Sequence, residues 1–149
     1  MQEALVLAHL ASSSSGDVPV GAVLVDPDGT VVAVGKNERE LLGDPTAHAE
    51  VVAIRAAANL VAGWRLSDLT LVVTLEPCSM CAGAIQAARI PRVVFGAWDE
   101  RVGAAGSRYD LLRDARLGQQ VEVISGVLEE DCAAVLRQFF EERRISGSK

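Results

Sequence analysis

The sequence predicts an α/β domain: a three-layer α/β/α sandwich on a mixed five-stranded sheet. Three observations carry that expectation. β-branched runs alternate with alanine-rich helical stretches, the pattern of a sheet covered by helices. The first two strands form a hairpin while the later ones are separated by helices, so the sheet is mixed. The chain has 149 residues, half of them apolar and 23% charged. That is the size and make-up of one globular domain, residues 1–149, able to bury a core without staples.

Taken in order, Ala4, Leu5, Leu7, Ala8 and Ala11 recur at helical spacing and predict a first helix over residues 3–11. The serine run 12–15 with Gly16 is expected to break it. Val18–Val25 reads as a strand, Asp26-Pro27-Asp28-Gly29 as a turn and Thr30–Gly35 as the second strand. Thr46 stands where a helix cap is expected, with alanine-rich sequence running to about Leu60. Leu69–Leu75 is a continuous apolar run and predicts a buried strand. Pro77 then opens a helix to about Arg89, Pro91 ends it, and Arg92–Ala97 is the next strand. A glycine- and alanine-rich loop at 103–107 precedes a fifth strand at Val121–Ser125 and a last helix from Glu129 to about Arg143.

Composition also excludes. A net charge of −6 rules out a wholly basic nucleic-acid coat. Three cysteines cannot form an all-paired disulfide framework. No segment reaches the ~18 apolar residues of a membrane span, and Met1–Leu10 lacks a basic leader. A soluble, cytoplasmic protein is expected. The charge is uneven: residues 1–50 carry eight acids and two bases, whereas 86–118 hold six arginines against four acids. That arginine-rich segment, and the basic ending Arg143-Arg144 with Lys149, can meet a polyanion or simply be solvated.

The strongest chemical signal is His48-Ala49-Glu50 followed by Pro77-Cys78-Ser79-Met80-Cys81. Cysteines three apart at a helix start share one face, and the positive helix end favours thiolate. With His48 as a third ligand, Cys78 and Cys81 would hold a tetrahedral zinc with its fourth position open, the mark of a catalytic site. Such an ion lowers the pKa of bound water from 15.7 to roughly 7. Helix positions two apart point about 200° from each other, so Glu50 is a poor fellow ligand and a good proton carrier. The same groups also admit a redox Cys-x-x-Cys pair or a structural zinc closed by Cys132, and His9, on a short helix, reads as a surface histidine.

His-x-Glu with Pro-Cys-x-x-Cys is the zinc deaminase signature. Three stretches sharpen the match: Val18-Pro19-Val20-Gly21-Ala22-Val23, Asp44-Pro45-Thr46-Ala47-His48-Ala49-Glu50 and Thr74-Leu75-Glu76-Pro77-Cys78-Ser79-Met80-Cys81. Arg92–Ala97, Gly103–Ser107 and Phe139-Phe140 with Arg143-Arg144 extend it. From about Asp17 to Arg144 the chain resembles the bacterial tRNA-specific adenosine deaminases of the cytidine deaminase-like superfamily. The resemblance implies the cytidine deaminase-like fold, one zinc ion per chain and hydrolytic conversion of wobble adenosine to inosine in the tRNA anticodon loop. Glu50 would pass protons to N1 and to the leaving amine. It further implies that Asn37 bonds the base, that Val20 packs on it, and that main-chain groups of Ala49 and Glu76 line the pocket. Asp99 and Arg101 match positions that touch the anticodon loop, and a homodimer is implied, with apolar residues around Met80–Ile85 exposed.

Gly118-Gln119-Gln120 stands where many relatives carry Asn-His, which alters one expected RNA contact. Trp98 reads equally as an interface, stacking or core aromatic. Two other functions fit parts of the pattern: deamination of a free nucleobase or nucleoside, and a non-catalytic zinc-stabilised RNA-binding domain.

Overall fold

Residues 1–147 are described in a computed structural model; Lys149, one of the terminal bases named above, lies outside them. The elements are α1 (Gln2–Ser15), β1 (Gly21–Val25), β2 (Val31–Lys36), α2 (Arg39–Leu42), α3 (Ala49–Leu60), β3 (Thr70–Leu75), α4 (Ser79–Ala87), β4 (Arg92–Ala97), β5 (Glu122–Ile124) and α5 (Glu129–Ser146). They form one five-stranded sheet in the order β2-β1-β3-β4-β5. β1 runs antiparallel to β2 and β3, whereas β3, β4 and β5 are parallel. The sheet is mixed, as expected.

The two faces separate by register. Ala22 sits opposite Gly35 and Val73, and Val73 opposite Phe95. These positions face α3 and α4, and with Leu24, Leu71, Ile85, Ile90 and Val93 they make the main core. Gly21, Thr74 and Gly96 alternate to the other face, under α1 and α5. Close approach demands glycine there. A Cβ on Gly21 would lie 2.0 Å from the Ala4 carbonyl oxygen, and one on Gly96 would lie 2.3 Å from the Cys132 sulfur. Gly35 does the same for α3, where a Cβ would meet the Ala49 carbonyl oxygen at 2.2 Å.

Several boundaries differ from the sequence expectation, each for a local reason. α1 continues through the serine run, because Ser12, Ser14 and Ser15 turn their hydroxyls back onto the carbonyls of His9, Leu10 and Ala11. Gly16, at φ 70°, ends the helix instead. Val18–Val20 is a tight turn closed by Val20 N–H to Val18 C=O at 2.9 Å, so β1 starts only at Gly21. Thr46 does not cap α3. Its N–H and hydroxyl both donate to Asp44 Oδ1, and these bonds hold the Asp44 carboxyl below its usual range. The cap position falls to His48 in extended backbone. Cys78 likewise caps α4 rather than lying inside it. The last helix runs to Ser146, three residues past the expected end. The short α2 was not expected at all; its N-terminal amides of Glu40 and Leu41 donate to the buried Asp17 carboxylate at 2.7 and 3.2 Å.

Candidate active site

α3 and α4 lie on one face of the sheet, and their first residues meet beyond the carboxyl end of β3, the usual place for a site in an α/β sheet. His48 Nδ1 stands 3.6 Å from Cys78 Sγ and 3.5 Å from Cys81 Sγ. Tetrahedral zinc with its ordinary Zn–S and Zn–N lengths requires an N···S separation of about 3.6 Å, so the three atoms already fit the ion. They are the only such group of metal-ligating side chains among the described residues. Cys132 is not part of it: that cysteine lies on α5, buried against Gly96 on the opposite face. Among the described residues the structure therefore brings together three ligands and no fourth.

Hydrogen bonds within the triad and burial shift the protonation of all three side chains. A hydrogen bond from the Cys81 thiol, aided by His48, pulls the Cys78 thiol down to about 4, while burial works against it. Cys81 is pushed up because its thiol is the donor to Cys78 and because it is buried. His48 is raised by its bond to Cys78. Glu50, in the first turn of α3 and only 4% exposed, is pushed up to about 7 by burial. A carboxyl poised near neutrality can both take and give a proton.

His48, Cys78 and Glu50 line a cavity of about 130 Å³, while Cys81 is fully buried and does not line it. Val20, Asn37, Ala49, Glu76 and Asp99 line it too, and Arg101 does not; it sits in an adjoining groove. Asn37 Nδ2 donates to Val18 C=O at 3.1 Å and its Oδ1 accepts from Arg39 N–H at 3.4 Å, which fixes the amide at the cavity wall. The Glu76 side chain is engaged elsewhere. Its carboxylate accepts from the N–H groups of Asp99, Ala105 and Ser107 at 2.9, 3.0 and 3.0 Å. Sequence reasoning missed Arg39, Val18, Leu75 and Val102, which also line the cavity. Only Arg39 carried a signal, as a cation two residues past Asn37.

Other expectations shift. Of the six arginines at 89–116, Arg92, Arg113 and Arg116 are paired with Glu122, Asp110 and Asp114. Arg89, Arg101 and Arg108 have no ion pair among the described residues. Arg143 is tied down, donating to Gly16 C=O at 2.7 Å and lying over the Phe139 ring. In Met80–Ile85, Met80 is exposed but Cys81, Ala82 and Ile85 are buried. Gln119 donates to Ile90 C=O at 2.9 Å, a contact within the fold.

A three-ligand metal site with a buried proton carrier is the chemistry of a zinc-dependent deaminase. The cytidine and deoxycytidylate deaminase zinc-binding region matches residues 1–97. The tRNA-specific adenosine deaminase of Haemophilus influenzae is 49% identical over 97% of this chain and 83% of its own length. That of Bacillus subtilis is 46% identical over 97% and 88%. A solved structure from work on A-to-I editing by tRNA:A34 deaminases at the wobble position of transfer RNA is 43% identical. It superposes with a TM-score of 0.87, over 91% of this chain and 97% of that one. The chain belongs to the tRNA-specific adenosine deaminases, within the cytidine and deoxycytidylate deaminase zinc-binding family.

Proposed function

We propose that this protein, as one domain spanning residues 1–149, hydrolytically deaminates the wobble adenosine of a tRNA anticodon loop to inosine. The observation that carries the reading is the buried Glu50 carboxyl beside the His48–Cys78–Cys81 triad, at the floor of a cavity that opens onto a groove. The names of the relatives supply the substrate.

His48, Cys78 and Cys81 are the residues that would hold zinc, which when bound supplies Lewis-acid activation of water. Glu50 accepts a proton from the attacking water and delivers it to N1 as that oxygen bonds to C6. It then takes the remaining proton from the hydroxyl now on C6 and delivers it to the exocyclic amine; the C6–N bond breaks, ammonia leaves and C6 becomes a carbonyl. The purine reaches this floor only after leaving the anticodon stack, which costs a few kcal/mol, less in a loop than in a duplex. Asn37 hydrogen-bonds the base, Val20 packs on its face, and main-chain groups of Ala49 and Glu76 line its edges. Asp99 and Arg101 stand at the rim and in the adjoining groove, where flanking nucleotides pass. The functional unit in this reading is a cytoplasmic homodimer, with Met80 on the exposed side of α4 at the shared face. No helix among the described residues is long and apolar enough to cross a membrane.

The test is editing of a stem-loop bearing adenosine at the wobble position, read by reverse transcription. Zinc-loaded protein should convert that position to a base read as G, and Glu50→Ala should abolish the conversion. Ammonia from free adenosine, cytidine or guanine with no change in the RNA would replace this reading with a free-base deaminase.

A further inference from the structure

The cavity over the zinc ligands does not end at its rim. Val18, Arg39, Leu75, Asp99 and Val102 belong both to it and to a second, larger groove of about 570 Å³. Trp98, Arg101 and Phe140 line only the outer part. Two large aromatic side chains are thus presented beside the cavity mouth, Trp98 at 40% exposure and Phe140 at 43%.

Trp98 is not loosely placed. One edge packs against the fully buried Phe95, with ring centroids 4.8 Å apart and planes at 85°. Its six-membered ring meets Gly106, where even a Cβ would come within 3.2 Å of it. Gly106 also holds φ 137°, open only to glycine at little cost. Phe140 is seated edge-on against Phe139, whose ring lies under the Arg143 guanidinium. Both rings are therefore held from behind with part of their surface bare. Exposed aromatics fixed beside cations are the parts of a base-stacking platform. The cations are Arg39 and Arg101, neither in an ion pair among the described residues. Asp99 and Glu100 share the groove. Asp99 Oδ1 is occupied by the N–H groups of Arg101 and Val102 at 3.0 and 3.3 Å, while Glu100 disfavours a dense run of phosphates. The balance suits a base laid on a ring more than a phosphate run.

We infer that Trp98, with Phe140, stacks a nucleotide adjacent to the one held over the zinc ligands, so that affinity for the RNA comes partly from the flanking base. The inference rests on the tRNA reading and deepens it. It commits the groove to RNA rather than to a second copy of the chain, because the groove is continuous with the catalytic cavity and carries two unpaired cations.

The experiment uses the zinc-loaded protein and a wobble-adenosine stem-loop, with three variants: Trp98→Leu, Trp98→Phe and Trp64→Leu. Trp64 is exposed just past the far end of α3, a helix about 18 Å long, and serves as the control. Stacking is worth about 5- to 150-fold in affinity per base. Trp98→Leu should raise KM by that factor with kcat little changed, Trp98→Phe should recover most of the loss, and Trp64→Leu should do nothing. Replacing the flanking nucleotides one at a time by abasic sites should raise KM for the parent but not for Trp98→Leu at the stacked position. In a Trp64→Phe background, the remaining indole fluorescence should quench on adding RNA. An unchanged KM in Trp98→Leu with editing intact overturns the stacking and leaves the deaminase reading standing. A change in oligomeric state in Trp98→Leu, without the abasic-site dependence, assigns Trp98 to a protein interface instead. Absence of editing by the parent overturns the tRNA reading itself.

Discussion

Glu76 and Asp99 are joined by a 2.9 Å hydrogen bond from the Asp99 N–H to Glu76 Oε2, linking the turn before Cys78 to the start of the loop at 99–107. The other carboxylate oxygen holds the N–H groups of Ala105 and Ser107. The loop returns the connection through Ala104 N–H to Pro77 C=O at 2.8 Å. Glu76 thus serves the pocket through its side chain as well as its main chain, by shaping the wall.

Every group facing the Glu76 carboxylate is a donor, so an amide cannot replace it. Glu76→Gln must aim an NH2 at an N–H on one side or the other. A buried donor left without an acceptor costs about 1–3 kcal/mol. Urea unfolding should show a loss of that order. The kcat/KM for the stem-loop should fall further than stability explains, since Asp99 and Val102 lie on the same loop. Retention of full kcat/KM would mean that the loop holds its shape without this anchor.

Gly21→Ala and Gly35→Ala test the layer spacing. Each Cβ would enter a helix backbone at 2.0–2.2 Å, so α1 or α3 must move away from the sheet. Overpacking of this kind costs about 1–3 kcal/mol, occasionally more. The two substitutions should differ in function. α3 carries His48 and Glu50, whereas α1 lies on the opposite face, so Gly35→Ala should lose zinc affinity as well as stability. Zinc content after dialysis and the urea midpoint separate the two effects.

Metal chemistry restricts both residue type and spacing, and so His48, Glu50, Cys78 and Cys81 were legible in the sequence. The strands were legible because buried parallel strands are continuous apolar runs, and β4 appears at its expected bounds, Arg92–Ala97. Local polar competition was harder to read. The serine run looks like a breaker, yet its hydroxyls bond within α1; Thr46 looks like a cap, yet Asp44 takes both its donors. The duties of Asp17 and Glu76 were invisible because each anchors amides 23 or more residues away, a relation that only the tertiary fold creates.

Asp17 is fully buried and accepts from Glu40 and Leu41 N–H and from the Ser15 hydroxyl at 2.6 Å. It caps α2 from outside the helix, and α2 begins with Arg39 at the cavity mouth. Asp17→Ala leaves two amides at the start of α2 without acceptors, a loss of about 1–3 kcal/mol. With Arg39 released, KM for the stem-loop should rise and its salt dependence should weaken by about one counterion. Unfolding curves and KM measured between low and moderate salt check both halves. An unaltered salt slope would show that Arg39 does not meet a phosphate.

Cys132 provides the pH-dependent prediction. Burial pushes its thiol up to about 11, against an ordinary value of 9.0. The folded state thus holds that proton longer than the unfolded state. Its contribution to stability is fully present below pH 9 and is lost as pH rises through 11. A Cys132→Ala variant should therefore close part of its stability deficit against the parent over that window. At pH 8 the thiolate fraction is roughly 100-fold lower than for an ordinary thiol, so labelling by a disulfide reagent should lag by at least that factor. In zinc-loaded protein, Cys78 and Cys81 are also shielded as ligands, and no thiol should label quickly. Chelation should release Cys78 first, because its thiol is held down at about 4 and it is only half-buried, while Cys132 stays silent until the chain unfolds. Rapid labelling of Cys132 before unfolding would show that α5 lifts from Gly96 in the native state.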